Sequence, residues 1–225
     1  MENEEEEEEA YEQVEEVSFS SKIVLAGSSG VGKTSIINRA FERTFSEDVK
    51  PTVGSGFRKG VFRIKNKKIT MEVWDTAGQE QFNSMAPLFF TNAAAAILVY
   101  DITDHNSFDV LGKTYIQMVN DRALPNCVVG IVGNKVDLIK TGGSSDSGVY
   151  KQREVNYEEA ESFCEEIDAS FHLEVSALTG IGVDSIFELI AENPNLQNNS
   201  NKKSAPSDSV ELNVTPTQKK KGCKC

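Results

Sequence analysis

The chain has 225 residues, 39% of them hydrophobic, and a formal net charge of −12. That length suits one cored domain with tails, and the acidic balance argues against nucleic-acid binding. Ten glutamates stand in the first sixteen residues with no Lys or Arg among them, so the remainder of the chain is nearly neutral and the acidity belongs to a tail.

Residues 1–20 are expected to form an acidic disordered leader, because a block of like charge repels itself. The acidic start is the opposite of a secretory leader, and no run of about 18 apolar residues follows to span a membrane. Lys22–Ala26 reads as a short apolar strand and Lys33–Arg43 as a helix. Residues 57–64 and 68–74 read as a hairpin turning near Asn66. A helical stretch near 80–92, a strand at 95–101, a helix at about 106–121 and an apolar run Cys127–Gly133 follow. The Gly/Ser-rich loop 139–152 must lie on the surface. A helix at 155–168, a strand at 170–175 and a helix at 183–192 complete a domain over residues 21–192, with Pro194 ending the last helix. Residues 193–225 read as a flexible tail. Cys127 and Cys164 fall in apolar patterns, as core thiols do, and no disulfide framework is suggested. Continuous apolar strands alternating with helices predict an α/β fold. Its mostly parallel sheet is covered by helices on both faces, with the ligand at the carboxyl ends of the strands.

Gly27-Ser-Ser-Gly-Val-Gly-Lys-Thr34 matches G-x-x-x-x-G-K-[ST] between an expected strand and helix. Glycine-permitted turns aim backbone N–H groups at a polyphosphate, and the helix N-terminus adds partial positive charge. Ser28, Ser29, Gly30, Val31, Gly32, Lys33, Thr34 and Ser35 are the candidate contacts. Lys33 would reach the β- and γ-phosphates, and the Thr34 hydroxyl would ligate Mg²⁺. The motif says nucleotide without saying which base. Asn134-Lys-Val-Asp137 addresses that. A carboxylate at Asp137 accepts both N1–H and the 2-amino group of guanine, whereas adenine would leave it unpaired. Asn134 would tie this loop to the phosphate loop, the Lys135 stem would cover the base, and Ser176-Ala177-Leu178 would close the pocket with a backbone N–H.

These motifs stand, with Thr52 and Trp74-Asp-Thr-Ala-Gly-Gln-Glu80, in the order of a Ras-superfamily small GTPase, which residues 20–192 resemble. The resemblance implies a P-loop small G domain with a six-stranded sheet, cycling between GDP and GTP. It assigns Mg²⁺ to Thr34, Thr52 and, through water, Asp75. Gly78 would contact the γ-phosphate, Gln79 would orient the attacking water beside Lys33, and Phe45 would pack on guanine. Thr52 would bind only in the GTP state, so hydrolysis would release the switch loops. No arginine is evidently aimed at the γ-phosphate, so a GTPase-activating protein would supply that charge. A weaker hydrolase serving as a nucleotide-bound scaffold is the alternative, and intact Gln79, Thr52 and Asp75 argue against it.

Within the superfamily the chain resembles Rab proteins. Phe57, Trp74 and Phe89 match the Rab effector surface. Ser84-Met-Ala-Pro-Leu-Phe-Phe90 resembles the early-endosomal subgroup, and the ending Cys223-Lys-Cys225 matches a doubly geranylgeranylated tail. Lys219, Lys220, Lys221 and Lys224 would add attraction to anionic lipid. Val210-Glu-Leu212 resembles the short apolar segment by which prenylation machinery grips Rab tails. The implied partners are a guanine-nucleotide exchange factor, effectors, a prenylation escort and a GDP-dissociation inhibitor. The implied state is a monomer on the cytoplasmic face of an intracellular membrane, with a cytosolic pool. The chain departs from the Rab pattern at Gln81 and at Phe89-Phe-Thr-Asn92, Leu178 stands where the family has lysine, Ser29 stands where Ras has glycine, and the 139–152 loop is long.

Overall fold

The computed structural model describes residues 17–46, 52, 55–64, 67–76, 86–139, 150–199 and 210–212. Gly78, Gln79, Cys223, Cys225, the ten leader glutamates and the terminal lysines lie outside the described residues. The elements are β1 (Val17–Ala26), α1 (Lys33–Glu42), β2 (Ser55–Ile64), β3 (Lys67–Thr76), α2 (Ala86–Phe90) and β4 (Ala95–Asp101). Next come α3 (His105–Val110), α4 (Ile116–Arg122), β5 (Val128–Asn134), α5 (Tyr157–Glu166) and β6 (Phe171–Glu174), then α6 (Val183–Glu192), α7 (Pro194–Asn198) and β7 (Val210–Leu212).

The strands lie in the order β6-β5-β4-β1-β3-β2-β7. Strands β1, β3, β4, β5 and β6 pair in parallel, and β2 pairs antiparallel with β3 from Ser55 opposite Thr76 to Ile64 opposite Lys67. Six strands thus form the mostly parallel α/β sheet that the alternation of elements predicts, and a three-residue strand from the tail adds a seventh at the β2 edge.

The period of two sorts the central strands onto two faces. Ile23, Leu25, Ile97 and Val99 face one core with Ile36, Ile37 and Phe41 of α1 and Ile186, Phe187 and Ile190 of α6. Val24, Ala26, Leu98 and Tyr100 face the other, with Phe90, Phe108, Leu111, Val119 and Ala160 from the helices on that side. Both faces are buried, which is why β4 is buried at all seven residues and reads as an apolar run from Ala95 to Tyr100.

Several boundaries differ from the sequence reading. β1 begins at Val17, four residues inside the stretch read as leader, because Val17 to Ser21 still pair with Lys67 to Met71. Of the helix expected near 80–92, Ala86–Phe90 is described. The helix expected at 106–121 runs from His105 to Arg122 but carries a π turn at Leu111–Tyr115, where Gly112 lets the Phe163 ring approach. Helix α6 ends at Glu192 as expected, but Pro194 opens α7 rather than beginning a linker. Its missing N–H costs nothing at the first helical turn, and Asn193 caps Asn195. Leu196 is fully buried in the α1/α6 core. Cys164 is buried and Cys127 half-buried, both as free thiols. Among the described residues no helix is long and apolar enough to cross a membrane.

Candidate functional site

Strands β1 and β4 are neighbours while their helices pack on opposite faces, so a crevice opens at the carboxyl end of β1. The Gly27–Thr34 loop fills it. Gly27 has φ +144 and a Cβ there would stand 2.1 Å from the Val99 carbonyl oxygen. Gly32 has φ +97 and its Cβ would stand 2.3 Å from Asn134 Nδ2. Only glycine fits either position, for conformation and for space. The residue at the N-cap of α1 is this same Gly32, with no capping side chain, so the first N–H groups of the ten-residue helix face the crevice.

The resulting cavity has a volume of about 390 Å³. Its lining includes Ser29, Gly30, Gly32, Lys33, Thr34, Ser35, Phe45, Thr52, Asn134, Lys135, Asp137, Ala177 and Leu178, all expected from sequence. Ser46, Thr76 and Leu138 also line it and were not anticipated. Four expected residues are not in the lining. Val31 is buried beneath the loop, Ser28 stands outside the lining, Asp75 is buried beside Thr34, and Ser176 is completely buried behind Asp137. Gly78 and Gln79 lie outside the described residues.

One end of the cavity is joined by Asn134, at the end of β5. Its Nδ2 donates to the Val31 carbonyl at 2.8 Å, and its Oδ1 accepts from the Ala177 N–H at 3.1 Å. Three loops far apart in sequence thus meet on one buried amide. Ser176 Oγ donates to Asp137 Oδ1 at 2.5 Å and accepts from the Thr179 N–H at 3.0 Å. Lys135 adopts a positive φ of 74° and its ammonium lies 2.7 Å from buried Asp101. Burial pushes the Asp101 carboxyl up, but Lys135 and the Thr103 N–H and hydroxyl hold it below the ordinary value. On the far side, Arg39 of α1 donates through Nε to the Ala177 carbonyl at 2.9 Å and through Nη2 to the Leu178 carbonyl at 2.5 Å. Asp101 and Arg39 carry no motif signal. Their partners are 34 and 138 residues away, and only the fold brings them together.

The other end holds the charged groups. Lys33 is buried, and its ammonium donates to the Gly27 and Ser28 carbonyls at 2.8 Å each. Desolvation lowers its pKa to about 8, against the pull of Asp75. Thr34 Oγ1 donates to Asp75 Oδ2 at 2.6 Å. Thr52 Oγ1 lies 3.0 Å from Thr34 Oγ1 and 3.3 Å from Asp75 Oδ2. Among the described residues the second carboxylate oxygen, Asp75 Oδ1, is buried without a partner. Burial raises the Asp75 pKa, although Thr34, Lys33 and Thr52 all favour its charge. An orphaned carboxylate oxygen beside two converging hydroxyls is a donor set suited to a hard divalent cation.

The aromatic trio lies on the flank of the sheet. Phe57 is 46% exposed and meets Trp74 edge-on at 5.2 Å between ring centroids. Phe89 lies 6.4 Å from Trp74, and both are half-buried against the second core. The Lys22 ammonium sits 5.2 Å over the Trp74 ring.

Comparison with known proteins supplies the family. The Ras family model matches residues 22–195. The GTP-binding protein YPTC5 of Chlamydomonas reinhardtii is 34% identical over 206 residues, covering 90% of this chain and 95% of its own. The Ras-related protein Rab5A of Oryza sativa is 36% identical over 172 residues, covering 76% and 78%. The human Ras-related protein Rab-22A is 37% identical over 166 residues, covering 74% and 79%. With a family match across most of its length and relatives aligned over most of theirs, this chain belongs to the Ras family, as a small GTPase of the Rab/Ypt type.

Proposed function

We propose that this protein is a Mg²⁺-dependent GTP/GDP switch that governs vesicle traffic by recruiting effectors to an intracellular membrane. The observation that carries the reading is the junction at Asn134, where the glycine loop, the Asn-Lys-x-Asp loop and the Ser176-Ala177-Leu178 loop share one buried amide at one cavity.

In this reading Asp137, aimed by Ser176, receives the two guanine N–H groups, and the Lys135 stem and Phe45 flank the base. Ser28 to Ser35 receive the phosphates through backbone N–H groups and the α1 N-terminus. Lys33 exchanges two carbonyl partners for phosphate oxygens. Its charge, raised in energy by burial, is stabilised when the anion arrives. Thr34 and Thr52 would hold Mg²⁺ directly and Asp75 through water. The ion would neutralise charge on the β- and γ-oxygens. Gln79 orients the water and Gly78 contacts the γ-phosphate. No arginine lines the cavity among the described residues, so an activating protein supplies the about 10³–10⁵ in rate that an arginine finger is worth. Phe57, Trp74 and Phe89 offer the effector face, with exposed Phe57 backed by half-buried Trp74 and Phe89, since aromatic anchors carry much of a partner's binding. Cys223 and Cys225 carry geranylgeranyl chains, two being needed for stable anchoring, and the terminal lysines add about 1 kcal/mol each at an anionic surface. The membrane is proposed to be endocytic, on the resemblance of residues 84–90 to the early-endosomal subgroup.

Single-turnover GTP hydrolysis with and without a Rab-type activating protein tests the chemistry. Acceleration that Gln79→Leu abolishes is expected. Equal rates under all conditions would leave the scaffold alternative standing instead. Imaging the tagged chain beside Cys223→Ser/Cys225→Ser tests the anchor. The double variant is expected to become diffuse, and its persistence on the same membrane would refute lipid anchoring there.

A further inference from the structure

The outer edge of the sheet is occupied by the chain's own tail. Val210, Glu211 and Leu212 pair in parallel with Gly60, Val61 and Phe62 of β2. An edge strand offers a row of backbone donors and acceptors, and β2 has its other side fully committed to β3 over ten residues. Pro206 and Pro216 bracket the segment at four residues on either side, and neither can donate to a ladder.

The span is feasible. The preceding described residue, Asn199, donates through Nδ2 to the Asn126 carbonyl at 3.0 Å, at the foot of β5. From β5 to β7 is five strand spacings, about 24 Å, and the eleven steps from Asn199 to Val210 reach at most about 40 Å. The register also sets the direction of exit. Leu212 is level with Phe62, Ile69 and Phe19, near the start of β1, so the tail leaves the sheet at the end opposite the nucleotide cavity.

We infer that β7 is a releasable clasp: Val210–Leu212 closes the β2 edge and sets how far the domain stands from its membrane anchor. The tether consequence rests on the reading of Cys223 and Cys225 as lipid sites, whereas the clasp does not. Clasped, Leu212 and Cys223 are eleven steps apart, a reach of at most about 40 Å. Released, Asn199 and Cys223 are twenty-four steps apart, a reach of at most about 85 Å. The clasp also lies on the strand that carries exposed Phe57, three residues before Gly60, so a partner seeking the β2 edge beside that ring must displace the tail. Three paired residues are few enough to open at little cost, as a switchable contact requires.

Amide hydrogen exchange on the unlipidated, GDP-loaded full chain tests the clasp. Glu211→Pro fixes φ at the centre of the three-residue pairing, which disfavours it without touching the domain. Exchange in the peptide spanning Gly60–Phe62 is expected to accelerate on the order of tenfold, with GDP affinity unchanged. Glu211→Thr, which leaves φ free, is expected to exchange like the wild type. Equal exchange in wild type and Glu211→Pro would overturn the clasp. Because no lipid is present, that failure is separate from a failure of the anchor reading. On vesicles carrying the geranylgeranylated protein, Glu211→Pro is expected to increase the distance between domain and bilayer read by energy transfer. An unchanged distance would remove the tether role.

Discussion

The two ends of the cavity are held in different ways. At the proposed base end, Asn134, Ser176 and Arg39 bond to other parts of the protein, and none of those bonds has to break for a ligand to enter. At the proposed phosphate end, Lys33, Thr34, Thr52 and Asp75 bond to the loop and to one another through the atoms that phosphate and Mg²⁺ would claim. One end is scaffold and the other is responsive. That division suits a switch: recognition of the base can stay constant while the arrangement around the last phosphate changes.

The contrast makes a general expectation. Substitutions at the base end should damage the fold or the pocket whether or not nucleotide is present, and those at the phosphate end should register mainly through the ligand. The largest effect is expected at Asp137. Asp137→Ala would remove the two charge-assisted hydrogen bonds proposed to guanine, together about 3–6 kcal/mol, so GDP affinity should fall about 10²–10⁴-fold, measured by displacement of a fluorescent guanine nucleotide. An unchanged affinity would mean that the base lies elsewhere.

Asn134→Ala should break the scaffold itself. It leaves the buried Val31 carbonyl and Ala177 N–H unsatisfied, about 1–3 kcal/mol each. Chemical denaturation without nucleotide should show a loss of about 2–6 kcal/mol. Thr34→Ala, at the responsive end, should cost much less under the same conditions. Equal losses would erase the distinction between the two ends.

Lys33 gives the distinction a pH signature. Its folded pKa is lowered from 10.5 to about 8. Between these values the unfolded chain binds more protons, so nucleotide-free stability should rise with pH from about 8 to 10.5. Phosphate binding favours the ammonium, so affinity should fall as pH rises through 8, by at most about tenfold per unit, with proton uptake on binding. Calorimetry in buffers of different ionisation enthalpy reads that uptake, and its absence would detach Lys33 from the phosphates.

The smallest effect is expected at Arg39. It touches the Ala177 and Leu178 carbonyls from outside the pocket and so positions the loop proposed to meet the base. Arg39→Ala should speed GDP release about 5–30-fold, on roughly 1–2 kcal/mol of lost loop support. Arg39→Lys should restore only part, because one ammonium cannot reproduce the guanidinium fork. Release unchanged in both would make Arg39 merely a surface residue.

Much of this was legible before any coordinates. Strand β4 is apolar at every buried position except its last, and the glycine loop, Asn134-Lys-Val-Asp137 and Ser176-Ala177 are short local patterns whose spacing implies their chemistry. Local patterns also misled. Ser176 reads as a pocket residue, but it is wholly buried and acts on Asp137 from behind. Pro194 reads as a terminator, yet with Asn193 as its cap it begins α7 and delivers Leu196 to the core.

By itself, the sequence determined the α/β architecture and the residue types at the cavity, because hydrophobic period, glycine placement and hydrogen-bonding chemistry act over a few neighbouring residues. The tertiary structure alone decided which carbonyls Arg39 grips, that Asp101 pairs with Lys135, and where Val210–Leu212 adds to the sheet. Those contacts join residues 34 to 150 positions apart, and no local pattern encodes them. They depend on which groups the packed sheet and helices leave unpaired and within reach.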